Sequence, residues 1–402
     1  MHFAFTDEQI MIRDAAETFL REASTGHAVR EAMATATGYD PALWQSLCND
    51  LGWPATLVPE AHGGLGLGFV EIVALQEQMG RFLLCAPFFS TVCFGVTALR
   101  IVGNAAQQAA WLPQLNSGTT ATLAFAGEST GRNGGDWSVA TVDAIWEPLD
   151  NGYALNGTLK YVIDGASSDL LIVAARKPGS QGADGISLFL LPADTAGVER
   201  RALPTMDQTR KQADILLHDV RVSAAAVLGE AGNSGAILQT ILDLATIALA
   251  AEQLGGAQTS LDMAVAYAKE RVQFGRSIAS FQAIKHKAAD MMTRVEVARS
   301  GVYYAACIAQ AALEAAEGKP SELANELAEA ASIAKAQCSD TYFKNAADAL
   351  QLHGGVGFTW EYDVHLHFKR AKASEHYLGN GAWHRERIAS IILDGASETT
   401  GA

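Results

Sequence analysis

Hydrophobic positions along the chain fall into three successive rhythms. From Thr6 to about residue 119 they recur every three or four residues, the spacing of one buried helix face. Ile10, Ile12, Ala16, Phe19 and Leu20 form the first such face, and Thr6 with Gln9 three residues on reads as a capping box that opens it. Further helices are predicted over 41–51, 68–80 and 87–102. Around Thr120 the period shortens to two. Segments 122–126, 137–146, 153–157, 160–163, 169–175, 186–191 and 213–217 read as short strands parted by Gly, Asn, Asp and Pro. Trp146-Glu147-Pro148 and Asn151-Gly152-Tyr153 read as strand, turn, strand. From Asn233 onward strands cease, and long helices are predicted over 236–270, 281–317, 321–352, 363–377 and 382–393. On the second of these, Ile284, Ala288, Met291, Val295, Ala298, Val302 and Ala305 alternate three and four apart, the core stripe of a bundle.

The pattern predicts an α+β protein. An N-terminal α-helical domain (1–119) precedes a middle antiparallel β domain (120–232) and a C-terminal four-helix-type bundle (233–402), whose last residues, 397–402, are expected to be disordered. The 402 residues are long enough for two or three units with a substantial core. A net charge of −15 argues against a nucleic-acid partner. The five cysteines form no CxxC pair and have no histidine at ligand spacing, which predicts free thiols in a reducing compartment and no metal. No basic-then-apolar leader and no apolar run of membrane-spanning length is read, so the expected setting is the cytoplasm, away from membranes.

Three stretches stand outside the core pattern. Glu270-Arg271-Val272-Gln273-Phe274-Gly275-Arg276-Ser277-Ile278, followed by Phe281-Gln282, interrupts two long helices at Gly275. That break frees backbone amides beside Arg271, whose donor fork suits phosphate oxygens, although taken alone the cluster reads first as a helix-to-helix turn with surface arginines. Val58-Pro59-Glu60-Ala61-His62-Gly63-Gly64-Leu65-Gly66-Leu67 is a glycine-rich loop. Gln351-Leu352-His353-Gly354-Gly355-Val356-Gly357-Phe358 follows a helix end, where glycine is first of all a cap.

These stretches resemble the signatures of the acyl-CoA dehydrogenases, flavoenzymes that desaturate acyl thioesters. ERVQFGRSIASFQAIKH is similar to their REXXQFGR turn followed by FQ, PEAHGGLG to PEXXGGLG, and QLHGGVGF to QXXGGXGF. Order and spacing agree across essentially the whole chain. The resemblance implies FAD as cofactor. Arg271, Phe274, Gln282, Gln351, Gly354 and Gly355 would hold its ADP half across a subunit boundary, which implies a homo-oligomer, dimer or tetramer. Ala126, Gly127, Tyr161 and Ile163 would meet the isoalloxazine, a flat ring that calls for an aromatic wall and main-chain donors at its polar edge. Tyr161 falls where the family usually has tryptophan, and Gly127 and Ile163 fall at hydroxyl positions, so two side-chain hydrogen bonds are lost. An acyl-CoA substrate and an electron-transferring flavoprotein as electron acceptor are implied in the same way.

Desaturation needs a carboxylate to take the α-proton and donors to hold the thioester oxygen. By the resemblance, the usual base position is Leu378, in Tyr377-Leu378-Gly379-Asn380, and the alternative one, in Leu242-Asp243-Leu244-Ala245-Thr246, is Ala245. Neither side chain can accept a proton. Glu252 is the first substitute: it lies seven residues after Ala245 on the same predicted helix, so it shares its face roughly 10 Å along. Its apolar surroundings would raise its pKa on burial, and the same position equally suits a structural carboxylate paired across the bundle. Glu375 and Asp243 follow as candidates. The absence also fits a non-catalytic, flavin-contributing subunit of a heteromeric acyl-CoA dehydrogenase, as in bacterial steroid side-chain degradation. The small residues near 245 and 378 predict extra room and hence a bulky or branched acyl group.

Overall fold

The structure is a computed structural model that describes residues 5–132 and 134–394; the tail at 397–402 lies outside them. Eleven α-helices order the described residues. The N-terminal group is α1 (Asp7–Ala23), α2 (Gly26–Ala34), α3 (Pro41–Asn49), α4 (Phe69–Arg81), α5 (Thr97–Val102) and α6 (Ala105–Asn116), with a π-helical turn, Phe89–Val96, leading into α5. The capping box at Thr6 and Gln9 is formed as read. Helices α2 and α6 have no counterpart in the hydrophobic pattern: each is short and buries only three residues.

Eight strands follow: β1 (Ala121–Ala124), β2 (Ile145–Leu149), β3 (Gly152–Ile163), β4 (Leu170–Arg176), β5 (Ile186–Pro192), β6 (Val198–Ala202), β7 (Gln212–Ser223) and β8 (Val227–Leu228). Their order is β6-β7-β3-β2-β4-β5-β8, with β1 beside β4. The expectation of a wholly antiparallel sheet is corrected here. β1 pairs with β4 in parallel, Ala121 to Leu170 through Ala124 to Val173, and β2 touches β4 in parallel at Ile145. The β1-to-β4 connection runs through the β2–β3 hairpin, long enough for a parallel crossover. Trp137 to Ala144 is not strand: it holds a turn at Val139–Thr141, and the strand begins only at Ile145.

The C-terminal bundle is α7 (Gly235–Glu270), α8 (Gln282–Ala316), α9 (Leu327–His353), α10 (Val364–His376) and α11 (Gly381–Leu393). Between α7 and α8 a two-stranded hairpin, β9 (Val272–Gln273) with β10 (Arg276–Ser277), corrects the expectation that strands end at Asn233. Helix α7 is long and apolar enough to cross a membrane, yet 78% of its most apolar stretch is buried, because α4, α8, α9 and α10 surround it. A helix apolar all round is the mark of such a central position. It meets α4 backbone to backbone. A Cβ on Gly255 would lie 1.8 Å from the Glu77 carbonyl oxygen, and one on Gly80 would lie 1.9 Å from that of Glu252, so both crossing points require glycine. On α8 the predicted stripe is buried from Met291 to Ala305, while Ile284 and Ala288, nearer the hairpin, stay half-buried.

Candidate active site

A cleft opens between the end of β3 and α10. The register of β3 against β7 slips between Leu159 and Val162. That bulge places Tyr161 in the left-handed region, φ 55°, and turns its ring out of the sheet's alternation. The Trp137 ring stands 6.1 Å from that of Tyr161 and 4.8 Å from that of Tyr377, just past the end of α10. The three rings wall a cavity of about 330 Å³ that Thr130 and Gln212 also line. Gln212, Ala373, His376 and Tyr377 separate it from a second cavity, about 290 Å³, which reaches Met206, Asp207, Arg210 and Arg370. Both volumes suit a small-molecule ligand.

Of the residues expected at the ring half of a flavin, Tyr161 faces the cleft. Ala126 and Ile163 are buried beneath it. The Lys160 N–H donates to the Ala126 carbonyl at 2.8 Å, fixing the strand end next to Tyr161. Gly127 has a local cause: a Cβ there would lie 2.3 Å from both the Asp143 Cγ and the Thr141 carbonyl oxygen. Asp143 in turn accepts from the Glu128 N–H at 2.7 Å. The Thr130 hydroxyl is buried without a hydrogen-bond partner among the described residues, a polar atom left over at the wall of an aromatic cavity. An aromatic wall with a spare hydroxyl fits an isoalloxazine, and sequence reasoning missed Thr130, Trp137 and Tyr377 because they lie on a loop, at a false strand and beside a motif, respectively.

The other six predicted residues gather elsewhere. Phe274 (φ 54°) and Gly275 (φ 75°) are both left-handed, the geometry of a tight hairpin turn. It lifts Phe274 to 94% exposure and lays the Arg276 guanidinium 4.2 Å above the Phe281 ring. Arg271 and Gln282 flank it, both exposed. At the end of α9, His353 stacks on Tyr267 with 4.3 Å between centroids and 22° between planes. Tyr267 is one turn before Arg271, whose N–H donates to the Tyr267 carbonyl at 2.9 Å. The hairpin and the Gln351–Gly355 corner are therefore neighbours through one ring pair. A Cβ on Gly354 or Gly355 would meet nothing within 4 Å, so this corner faces open space. No hydrogen bond or ring contact joins this group to the Tyr161 cleft among the described residues.

The proton-acceptor candidates are disposed differently from expectation. Leu378 and Ala245 are both buried in the main apolar core. Asp243 is held by both Arg387 terminal nitrogens at 2.5 and 2.7 Å, so it is not a free proton acceptor. Glu252 is buried, but its pKa is not raised. Burial pushes it up, Arg210 and Arg370 outweigh burial, and the net position is below the usual carboxylate value. Arg370 reaches it at 3.0 Å and Arg210 closes the other oxygen. Glu375 pairs with Lys372 at 2.9 Å. Asp164, unmarked in the sequence beyond a turn-forming Asp-Gly, accepts from the Ser90 hydroxyl at 2.6 Å, and burial pushes its carboxyl up to about 6.

Models of the acyl-CoA dehydrogenase N-terminal domain and C-terminal domain match residues 6–119 and 233–393. The chain is 30% identical over 374 residues to the acyl-CoA dehydrogenase IpdE2 of Mycolicibacterium smegmatis, covering 93% of this chain and 95% of that protein. The chain belongs to the acyl-CoA dehydrogenase family. Butyryl-CoA dehydrogenase from Megasphaera elsdenii superimposes with a TM-score of 0.86 at 28% identity, over 98% of this chain and 100% of that one. A chain of the ChsE4-ChsE5 complex from Mycobacterium tuberculosis gives 0.85 at 27%, over 98% and 99%. As an acyl-CoA dehydrogenase the protein is an oxidoreductase acting on a CH–CH bond, with FAD as its cofactor.

Proposed function

We propose that this acyl-CoA dehydrogenase desaturates an acyl-CoA between Cα and Cβ in the Tyr161–Trp137–Tyr377 cleft, and that aromatic-walled cavity is the observation that carries the reading. FAD, when bound, supplies the acceptor for the β-hydrogen as hydride. The rings of Tyr161, Trp137 and Tyr377 exclude water from that site and fix the plane in which a flat group can lie. Arg271, Phe274, Gln282, Gln351, Gly354 and Gly355 are proposed to grip the ADP half from a neighbouring subunit. Open space over Gly354 and Gly355 and the bare Phe274 ring support it. The working form is then a homo-oligomer, dimer or tetramer, in the cytoplasm, and reduced flavin passes its electrons to an electron-transferring flavoprotein.

The α-proton requires a carboxylate. With Asp243 and Glu252 held by arginines, Glu375 is the remaining one of the three sequence candidates, three residues before Leu378 and paired with the half-exposed Lys372. A second reading has a specific observation in its favour. Leu378 and Ala245 are both packed into apolar core, so the chain also suits a flavin-contributing subunit whose partner brings the base.

The test is direct. Purified protein that is yellow and bleached by an acyl-CoA, with Glu375→Gln abolishing the bleaching, supports the first reading. Yellow protein that bleaches only after a second acyl-CoA dehydrogenase subunit is added supports the second, and protein that never retains FAD defeats both.

A further inference from the structure

We propose that Arg210 selects acyl groups that carry a neutral carbonyl oxygen beyond the reacting carbons, so that the preferred substrate is an oxo-acyl-CoA. The inference rests on the dehydrogenase reading above and names its substrate class.

Arg210 and Arg370 are neighbours with different states of satisfaction. Arg370 uses each of its nitrogens: Nε donates to the Thr209 hydroxyl at 2.7 Å, Nη1 to Glu252 at 3.0 Å and Nη2 to the Thr209 carbonyl at 3.1 Å. It is a fixed post. Arg210 makes one hydrogen bond among the described residues, from Nη2 to Glu252. Its guanidinium sits 4.9 Å above the Phe89 ring and lines the 290 Å³ cavity. A guanidinium carries five N–H donors in a rigid fork, so the edge away from Glu252 is aimed and unspent. Gln212, on the wall shared with the aromatic half, likewise makes no side-chain hydrogen bond among the described residues. Around these two polar groups stand Met206, Ala373 and Tyr377. A few convergent donors in an apolar shell are what orient a ligand oxygen.

Charge decides which oxygen. Arg210, Arg370 and Lys372 at the cavity are offset by Asp207, Glu252 and Glu375 behind or beside them. Asp164 adds a further carboxyl within the field of both arginines. A substrate carboxylate would bring an uncompensated charge into this set, which costs heavily where water is scarce. A ketone oxygen accepts from Arg210 and Gln212 without one. Arg210 lines this cavity and not the aromatic one, and Gln212 stands on the wall between them, so an acyl group can extend toward Arg210 while the ring system stays against Tyr161 and Trp137.

The experiment uses the FAD-loaded full chain and isothermal titration with three esters of similar length: hexanoyl-CoA, hexanoyl-CoA bearing a ketone next to its terminal methyl, and adipoyl-CoA. The keto ester is expected to bind about tenfold or more tighter than hexanoyl-CoA, as for a hydrogen bond to a charged donor. In Arg210→Met that ratio should fall toward one, and Arg210→Lys, which keeps the charge on Glu252 but not the fork, should give an intermediate value. Thermal melts establish that each variant is folded, and Gln212→Leu provides a second route to a lowered ratio. Equal binding of keto and plain esters overturns the inference and leaves the dehydrogenase reading standing. So does adipoyl-CoA binding tightest, or a flavin spectrum that shifts in Arg210→Met without acyl-CoA while the ratio is unchanged. If FAD binds and none of the esters does, the chain's own acyl site fails, and this inference with it.

Discussion

The Lys335 ammonium donates to the Gly379 carbonyl at 2.9 Å, and that bond ties the middle of α9 to the turn after α10. The same nitrogen donates to the Ser374 carbonyl at 3.0 Å, the Glu375 carbonyl at 3.1 Å and the Ser339 hydroxyl at 2.9 Å. The fully buried Lys335 nitrogen thus satisfies the open carbonyls at and just beyond the C-terminal end of α10. From the other side, the His384 imidazole donates from Nε2 to the Leu378 carbonyl at 2.9 Å. Between these clamps Leu378 and Gly379 adopt left-handed φ values of 58° and 97°. A leucine there costs about 1–3 kcal/mol and persists only when its surroundings over-determine it. The turn keeps its shape although its side chain cannot take a proton.

Lys335→Met would leave three carbonyls unpaired and is expected to cost about 2–4 kcal/mol in urea denaturation. Its pH dependence has a definite sign. Burial lowers the ammonium from 10.5 to about 7, so between those values the unfolded chain binds the proton that the folded one releases. Stability from this group is therefore greatest above the unfolded value and is lost as pH falls toward 7. The wild-type advantage over Lys335→Met should widen from neutral to alkaline pH; a gap that widens toward acid would count against this account.

Glu252→Gln should behave as a structural lesion. It removes the carboxylate shared by Arg210 and Arg370 at the point where α4 and α7 touch through Gly80 and Gly255. Breaking a buried pair in this way costs about 3–5 kcal/mol. Because the arginines hold this carboxyl below its usual value, its contribution is present at neutral pH and lost as pH falls through the folded value. The check is activity per mole of bound flavin: if that falls by orders of magnitude while the melting temperature holds, Glu252 is the base after all.

Much of this was legible in the sequence because the signals were local. The Thr6 capping box, the Asn151-Gly152 hairpin and the apolar length of α7 depend on neighbours in the chain, and they formed as read. The glycine corner and the Arg271 hairpin were legible as motifs, though not that Tyr267 and His353 join them. The misreadings came from distance in sequence. Glu252 sits in an apolar run, so its surroundings predicted a raised pKa, but its partners lie 42 and 118 residues away. Asp243 was misread for the same reason, with Arg387 144 residues on. The parallel β1–β4 pair was hidden because alternation reports which face a residue takes, not the direction of its neighbour.

Arg271 and Phe274 should separate cofactor binding from assembly. Phe274 is almost wholly exposed on its hairpin, and Phe358 and Trp360 are exposed beyond the glycine corner. Apolar rings in that number mark a surface meant to be covered. Phe274→Ser is expected to shift the oligomer toward smaller species in analytical ultracentrifugation and to weaken FAD binding with it. Arg271→Ala should weaken FAD binding about tenfold or more with the assembly intact, as the loss of one charged hydrogen bond. Loss of assembly in Arg271→Ala with FAD affinity preserved would reverse the two roles.

Gly127→Ser tests whether the missing hydroxyl at that position can simply be restored. The family resemblance would favour the change, since serine offers the hydrogen bond that glycine lacks. The geometry forbids it. A Cβ at 127 would lie 2.3 Å from the Thr141 carbonyl oxygen, which is backbone, and equally close to the Asp143 carboxyl, which the Glu128 N–H holds in place. The loop at 138–143 must then move, and overpacking of this kind costs about 1–3 kcal/mol. That loop hangs from Trp137, whose ring touches both Tyr161 and Tyr377, so the cost should appear at the cofactor as well as in the melt. The expected result is a lower melting temperature and weaker FAD retention. Asp143→Ala in the same chain should recover only part of the loss, because the Thr141 carbonyl remains. Full recovery would show that the carboxylate alone, and not the backbone, excludes a side chain here.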